Sequence, residues 1–347
     1  MTAIALQDYF ARAIPLVEAE MRAVVNLNVF DIEQPAWFNT MLNYHLGFAD
    51  AEGQPVQLSA GKRIRPMLVL LACEACGGEA QQALPAAAAV ELLHNFSLIH
   101  DDIEDGDELR RGRPTLWKLW GVPQAINAGD AMFAQAHMAM GRLADVGVPA
   151  ERVVRALRTF DAMCVHLTIG QHLDMGFEQR ADVTAADYMA MIAGKTAALT
   201  RACCEIGTIV AGADDARVVA LGEFGRGLGL SFQLQDDVLG IWGDPAKTGK
   251  QDSDLAHGKK TLPVLYAADQ DARVRERYLI RKSTALTGAD LAELKTMIED
   301  AGGRAHTEAA AEAAFAQSME AWDAAEVEND AGVALRDLAQ SLLGRSA

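Results

Sequence analysis

The chain has 347 residues, half of them apolar and only 10 of them proline, so it can bury a large core and favours helix over sheet. Its 31 basic and 48 acidic residues leave a net charge of −17, which repels a phosphate backbone and argues against nucleic acid as a partner. Five cysteines without disulfide-framework spacing suit a reducing compartment, and the longest uncharged run, Gln34 to Ala49, falls short of the ~18 apolar residues of a spanning helix; a cytoplasmic protein with no membrane span is expected.

In chain order, helical periodicity predicts helices over 3–29, 36–49, 60–76, 83–103, 123–146, 150–178, 184–211 and 215–242. Further helices are predicted over 260–271, 287–301, 304–322 and 331–343, with breaks at Gly77-Gly78, Gly121-Val122-Pro123, Gly243-Asp244-Pro245 and Gly302-Gly303. Asp8 and Arg12 interrupt any secretory core in the first helix. Cys73 and Cys76 form a Cys-x-x-Cys pair with no second pair, inside an apolar helical stretch, so they pack rather than bind metal. Alanine runs at Ala86–Ala89 and Ala309–Ala314 lie in amphipathic patterns and read as close helix packing. With no β-rich block and no linker, residues 1–347 read as one all-α domain.

Two of these helices end in acid. The first runs into HNFSLIHDDIEDGDELRRGRP, where Asp101 and Asp105, four apart, share a helix face beside Asp102. Like charges so placed repel unless a cation lies between them, and hard oxygen ligands suit magnesium, particularly when substrate phosphates complete the coordination. The second runs into FQLQDDVLGIWGDPAKTGK, with Asp236 and Asp237 in the same relation to an apolar helix. Basic residues follow each within about ten positions: Arg110 and Arg111, then Lys247 and Lys250. Two such sets facing one cavity would neutralise a departing diphosphate through shared ions.

At these residues the sequence resembles the trans-isoprenyl diphosphate synthases, the polyprenyl synthetase family, from about Gly61 to Pro263. The resemblance rests on GKRIRP (Gly61–Pro66), HNFSLIHDDIED with RRGRPT (Arg110–Thr115), GKTAAL (Gly194–Leu199), FQLQDD (Phe232–Asp237), and GDPAKTGK followed by SDLAHGKK. It implies an isoprenoid synthase-type bundle of ten or more helices around an apolar cavity, and a homodimer. It further implies that three magnesium ions are held with substrate by Asp101, Asp105 and Asp236, with Asp102 and Asp237 in support. Arg110, Lys195 and Lys250 would hold an allylic diphosphate, and Lys62, Arg65, His94 and Arg111 would hold isopentenyl diphosphate. Thr196 and Gln233 would face the developing allylic cation, with Asp254 and Lys259 near the second metal site. The family's second motif ends in a third aspartate; Gly240 stands there instead, with Asp244 one turn further on. A basic contact from the C-terminus could come only from Arg345.

Phe96 and Ser97 precede Asp101 by five and four residues, about 6–8 Å deeper along the helix. In the family a bulky residue here stops the growing chain, which points to geranylgeranyl diphosphate, with farnesyl diphosphate next. A floor at Leu93 or Val90 would instead allow a longer product. Two rival readings are weighed against this one. A class I terpene cyclase shares the Asp-Asp-x-x-Asp helix but needs no second anion site such as Lys62, Arg65 and Arg111. A non-catalytic subunit would be expected to lose the first acidic cluster, which is whole.

Overall fold

The computed structural model describes residues 6–26, 34–56, 58, 61–243, 254–256, 258–280 and 288–343. Contacts divide the chain into two compact units, 1–159 with 203–214 and 328–335, and 160–202 with 215–327 and 336–347. The all-α expectation holds: among the described residues the only paired strands are two residues long. No described helix is long and apolar enough to cross a membrane.

The first unit contains α1 (Leu6–Val25), α2 (Ala36–His45), α3 (Ile64–Ala75), α4 (Ala80–Glu104), β1 (Leu109–Arg110), β2 (Arg113–Pro114), α5 (Leu116–Trp120) and α6 (Val122–Gly141). Helix α4, about 37 Å long at 1.5 Å per residue, packs against α1, α3 and α6. Its Ala86–Ala89 run is fully buried together with Val90, Leu92 and Leu93, so small side chains here let neighbouring helices close in. Gly129 of α6 serves the same end, since a Cβ there would overlap the His100 ring of α4. Tight packing fixes the acidic end of α4.

Local backbone chemistry moves several predicted boundaries, with the helix predicted over 123–146 ending at Gly141, and adds a hairpin and the short α5 between α4 and α6. Helix α2 stops at His45 rather than at 49, because Gly47 turns left-handed (φ 77°) and Ala49 bridges to Pro55. Helix α3 starts at Ile64 rather than at 60, because Arg63 sits in the left-handed region (φ 49°). The segment after Asp105 is an antiparallel hairpin, β1–β2, with Arg110 opposite Arg113. Its two-residue loop, Arg111 and Gly112, has positive φ at both positions (54° and 75°), the backbone of a tight hairpin turn.

The second unit is built from the later part of α7 (Ala150–Glu178), α8 (Ala185–Ile192), a π-helical turn (Ala193–Ala197), α9 (Ala198–Ala211) and α10 (Asp215–Trp242). After them come α11 (Leu262–Gln270), a short turn running into π-helical Arg275–Ile280, α12 (Gly288–Asp300), α13 (Gly303–Ala324) and α14 (Asp330–Leu343). Helices α7, α9 and α14 contribute residues to both units. Helices α10 and α13 pack along their length at close range: a Cβ on Gly227 would meet the Ala314 carbonyl and Ser318, whose hydroxyl donates to the Phe224 carbonyl at 2.7 Å. The predicted helix over 184–211 is broken by the π turn, which widens the backbone one residue before Gly194. All five cysteines are free, Cys73 buried and Cys76 half-buried.

Candidate active site

In the first unit, Asp101 and Asp102 lie in the last turn of α4 and Asp105 caps it, with its backbone N–H donated to the Asp101 carbonyl at 2.8 Å. The three carboxylates are not equivalent. Asp102 is buried at 2 % exposure and takes Arg110 Nε on Oδ1 at 2.5 Å, whereas Asp101 is half-buried and Asp105 exposed. Burial pushes the Asp102 carboxyl up to about 6, against the opposing pull of Arg110. Asp102 therefore anchors the hairpin to the helix, and Asp101 and Asp105 are the pair presented on one face. Among the described residues no three His, Cys, Asp or Glu side chains form a ready-made metal cage. One or two carboxylates fit magnesium, which completes its octahedron with water and substrate phosphate.

Beside that helix end gathers a group of cations with very different partners. Arg63 is buried between Glu91 (2.6 Å) and Glu18 (3.3 Å), Arg110 is taken by Asp102, and Arg113 donates to the Tyr44 and Ala49 carbonyls, both at 3.1 Å, while lying over the Tyr44 ring. Lys62, Arg65 and Arg111 have no side-chain hydrogen bond or ion pair with any described residue, and the Nε of Arg65 is buried without a partner. Arg63, between Lys62 and Arg65, and Arg111, in the hairpin turn, take the left-handed backbone at a cost of about 1–3 kcal/mol each. His94 of α4 is held well below the usual imidazole range by burial and by Arg65, Arg111 and Arg110, so it is neutral. Burial also lowers the Arg111 pKa, so this guanidinium gains from an incoming anion. A cavity of about 390 Å³ opens here, walled by Arg110, Arg111, Arg113, Asp102 and His45 among others.

Phe96 is half-buried on α4 and its ring rests against His100 (centroids 4.8 Å apart) and Phe133 of α6 (5.0 Å). Ser97 turns its hydroxyl back to the His94 carbonyl at 2.9 Å. Leu93 and Val90, the alternative floor, are fully buried in the core.

In the second unit the π turn presents Lys195 and Thr196. It lies so close to α7 that a Cβ on Gly170 would overlap the Lys195 backbone, and one on Gly194 would crowd the His166 carbonyl. Lys195 Nζ reaches Asp174 of α7 at 2.5 Å. Thr196 donates its hydroxyl to Gln233 Oε1 at 2.9 Å, and Gln233 donates from Nε2 to Asp237 Oδ1 at 3.1 Å. The buried Tyr188 hydroxyl completes the chain by donating to Asp237 Oδ2. Asp237 is 2 % exposed, and burial pushes its carboxyl up to about 7 although Tyr188 and Gln233 favour the charged form. It fixes the Gln233 amide, while Asp236 is the half-buried carboxylate of the pair.

Gly240 leaves room for Asp254, whose carboxylate fills the place a Cβ at 240 would take and whose backbone N–H donates to the Gly240 carbonyl at 3.2 Å. The following segment is tied down twice. Lys260 caps the end of α7 through the Phe177 and Arg180 carbonyls, and Tyr278 donates to the Lys259 carbonyl at 2.9 Å. Lys259 Nζ lies 3.6 Å from Glu178. Lys250, Asp244, Lys247 and Arg345 lie outside the described residues. Sequence reasoning missed Asp174, Tyr188 and His45, each of which reaches its neighbours through contacts distant in the chain.

The polyprenyl synthetase family profile matches residues 53–300. A geranylgeranyl diphosphate synthase of Mycobacterium tuberculosis is 47% identical over 267 residues, 76% of this chain and 75% of that protein. A (2E,6E)-farnesyl diphosphate synthase of Mycobacterium bovis is 42% identical over 313 residues, 88% of this chain and 86% of its own. A crystal structure of a polyprenyl synthetase from Streptomyces coelicolor superposes with a TM-score of 0.88 at 35% identity, covering 98% of this chain and 100% of that one. A geranylgeranyl pyrophosphate synthase from Corynebacterium glutamicum, crystallised with isoprenyl diphosphate and magnesium, gives 0.82 at 26% identity, covering 99% of this chain and all of its own. The chain belongs to the polyprenyl synthetase family. Within it, these relatives make it a short-chain prenyl diphosphate synthase, an enzyme of the all-α isoprenoid synthase fold.

Proposed function

We propose that the protein is a magnesium-dependent prenyltransferase that joins isopentenyl diphosphate head-to-tail to dimethylallyl, geranyl or farnesyl diphosphate, with geranylgeranyl diphosphate as its principal product. The observation that carries this reading is the division of labour among the cations. Arg63, Arg110 and Arg113 are satisfied by protein groups, whereas Lys62, Arg65 and Arg111 await an anion beside the neutral His94. In a chain of net charge −17, that is a dedicated place for a diphosphate needing no metal. It also distinguishes this enzyme from a cyclase, which consumes one substrate.

The residues divide the work as follows. Asp101, Asp105 and Asp236 would hold the ions, three of them with substrate bound, and Asp102 and Asp237 keep Arg110 and Gln233 in position. Magnesium would supply positive charge to the departing diphosphate as its carbon–oxygen bond breaks. Lys195 exchanges Asp174 for a phosphate oxygen, and Arg110 and Lys250 add to the grip. Thr196 and Gln233 turn their oxygen dipoles toward the allylic carbon as positive charge develops there. The alkene of isopentenyl diphosphate attacks that carbon, and the released diphosphate takes the proton whose loss restores the double bond. Phe96 and Ser97 limit the length of the tail. We read residues 1–347 as a single catalytic domain, working in the cytoplasm as a homodimer; the near-complete coverage of solved polyprenyl synthases supports the single domain.

Farnesyl diphosphate is the second reading, favoured by the 42% identical synthase that matches more of the chain. Purified protein with magnesium, labelled isopentenyl diphosphate and each allylic primer in turn tests both. A product one or more isoprene units longer than the primer is expected. No elongation with any primer sinks the proposal, and a product that stops at farnesyl decides for the second reading.

A further inference from the structure

Tyr188 belongs to none of the motifs that identify the enzyme, yet it holds the far end of a line of hydrogen bonds that finishes at Thr196. A capping box between Thr184 and Asp187 fixes the first turn of α8, and Tyr188, the next residue, enters the core of the second unit at 2 % exposure. Burial, and the carboxylates of Asp237, Asp174 and Asp254 near it, hold the phenol well above its usual range, so it keeps a hydrogen to give and donates it to Asp237 Oδ2. Asp237 takes two more donors, Gln233 Nε2 on Oδ1 at 3.1 Å and the backbone N–H of Leu262 at the start of α11. An ionised carboxylate only accepts, so Gln233 turns its nitrogen to Asp237 and its carbonyl to Thr196, which gives its single O–H to Oε1 at 2.9 Å. Thr196 is left with lone pairs. With Asp237 free to rotate, the amide reverses in part of the molecules, and Thr196 then aims its hydrogen away from Gln233.

We propose that Tyr188 is a positioning residue for ionisation of the allylic diphosphate: through Asp237 it fixes the polarity of the Gln233–Thr196 pair, so that both present oxygen rather than hydrogen to the carbon on which positive charge develops. This rests on the reading above that Thr196 and Gln233 face the allylic carbon. Oxygen dipoles set before the reaction stabilise a developing cation without reorganising, whereas a hydrogen aimed at it repels. Thr196 and Gln233 are only half-buried, so packing alone does not impose their orientation, and the buried end of the line supplies it. A phenylalanine at 188 would fill the same space as the tyrosine ring, which makes the role of the hydroxyl separable from that of the ring.

The test is single-turnover elongation at about pH 8 by the full-length wild type, Tyr188→Phe, Thr196→Val and the double variant, alongside steady-state kinetics. Removing one preorganised dipole costs about 10²–10³ in rate, so losing its orientation in part predicts a fall of about tenfold or more in Tyr188→Phe, with KM for each substrate within about twofold. Because Tyr188 acts through Thr196, adding Tyr188→Phe to Thr196→Val should lower the rate less than about twofold further, whereas a separate packing role would multiply the two losses. A circular dichroism melt checks that the variants fold. Neutron diffraction from deuterated wild type, which needs no variant, should place the Tyr188 deuterium on Asp237 and the Thr196 deuterium on Gln233 Oε1. A Tyr188→Phe rate within about twofold of wild type, a full further loss in the double variant, a parallel rise in both KM values, or a Thr196 deuterium turned away from Gln233 overturns the assignment to Tyr188. A wild type that elongates no primer overturns the prenyltransferase reading and Tyr188 with it, whereas elongation by the wild type with any of those four results overturns Tyr188 alone.

Discussion

Phe96→Ala removes a ring about 7.5 Å along α4 from Asp101, where a growing prenyl tail running beside the helix would meet it. The ring is only half-buried but touches His100 and Phe133, with centroids 4.8 and 5.0 Å away. A fully buried Phe→Ala change costs about 3–5 kcal/mol; partial exposure reduces this to about 1–2 kcal/mol, mostly lost ring contacts. With about 2.1 cal/mol/K of unfolding entropy per residue over 347 residues, Tm should fall by about 1.5–3 °C, leaving a folded enzyme. The space released lies along the tail's path, so the main product should lengthen by one isoprene unit at little cost in isopentenyl KM. Phe133→Ala, which frees the Phe96 ring to swing aside, should lengthen it less completely. Products are dephosphorylated and sized by chromatography with mass detection. An unchanged product from Phe96→Ala would refute the reasoning and move the floor to the buried Leu93 or Val90.

Two other perturbations follow from buried charges. Glu91→Gln leaves Arg63 with Glu18 alone; because both members of the 2.6 Å pair are 3 % exposed, stability should drop by about 2–4 kcal/mol, and a shift in urea midpoint worth less than about 0.5 kcal/mol would contradict the buried-pair account. Asp237 has its folded pKa raised from 3.8 to about 7, so the native state holds a proton that the unfolded chain has already released; its contribution is full below about pH 4 and is lost as pH rises through about 7. Asp237→Asn should therefore flatten the pH dependence of stability between about pH 4 and pH 8 in EDTA, and a pH profile parallel to wild type would mean Asp237 is charged throughout.

Long helices were legible from apolar periodicity because burial of a face is a local property of the sequence; α7 and α10 match their predicted ranges of 150–178 and 215–242. The hairpin was not, since two-residue strands have no periodicity to detect, although Arg111-Gly112 held a tight-turn signal in its glycine. Arg63 is the sharper case: an arginine in helix-compatible sequence takes φ 49° because Glu91 and Glu18 hold its side chain, and the first turn of the predicted helix gives way. Candidate site residues were visible where motifs bring them together in sequence. The resemblance already gave Asp102 and Asp237 a supporting place beside Asp101 and Asp236, but spacing alone did not say what occupies them: Arg110 and Gln233 lie close by in sequence, and Tyr188 is reached across the second unit. Asp174 and His45 stayed hidden for the same reason.

In the proposed reaction, carboxylates at two helix ends would activate the allylic diphosphate through magnesium, while isopentenyl diphosphate would bind without metal. Single-turnover elongation by the wild type, Asp101→Ala and Asp236→Ala across a range of magnesium concentrations tests it most directly, with pyrophosphate binding in EDTA as the internal control. Each variant should lose about three orders of magnitude or more in rate, a deficit of about 4 kcal/mol, while pyrophosphate binding in EDTA stays at the wild-type level. A rate within tenfold of wild type in either variant at saturating magnesium would contradict it.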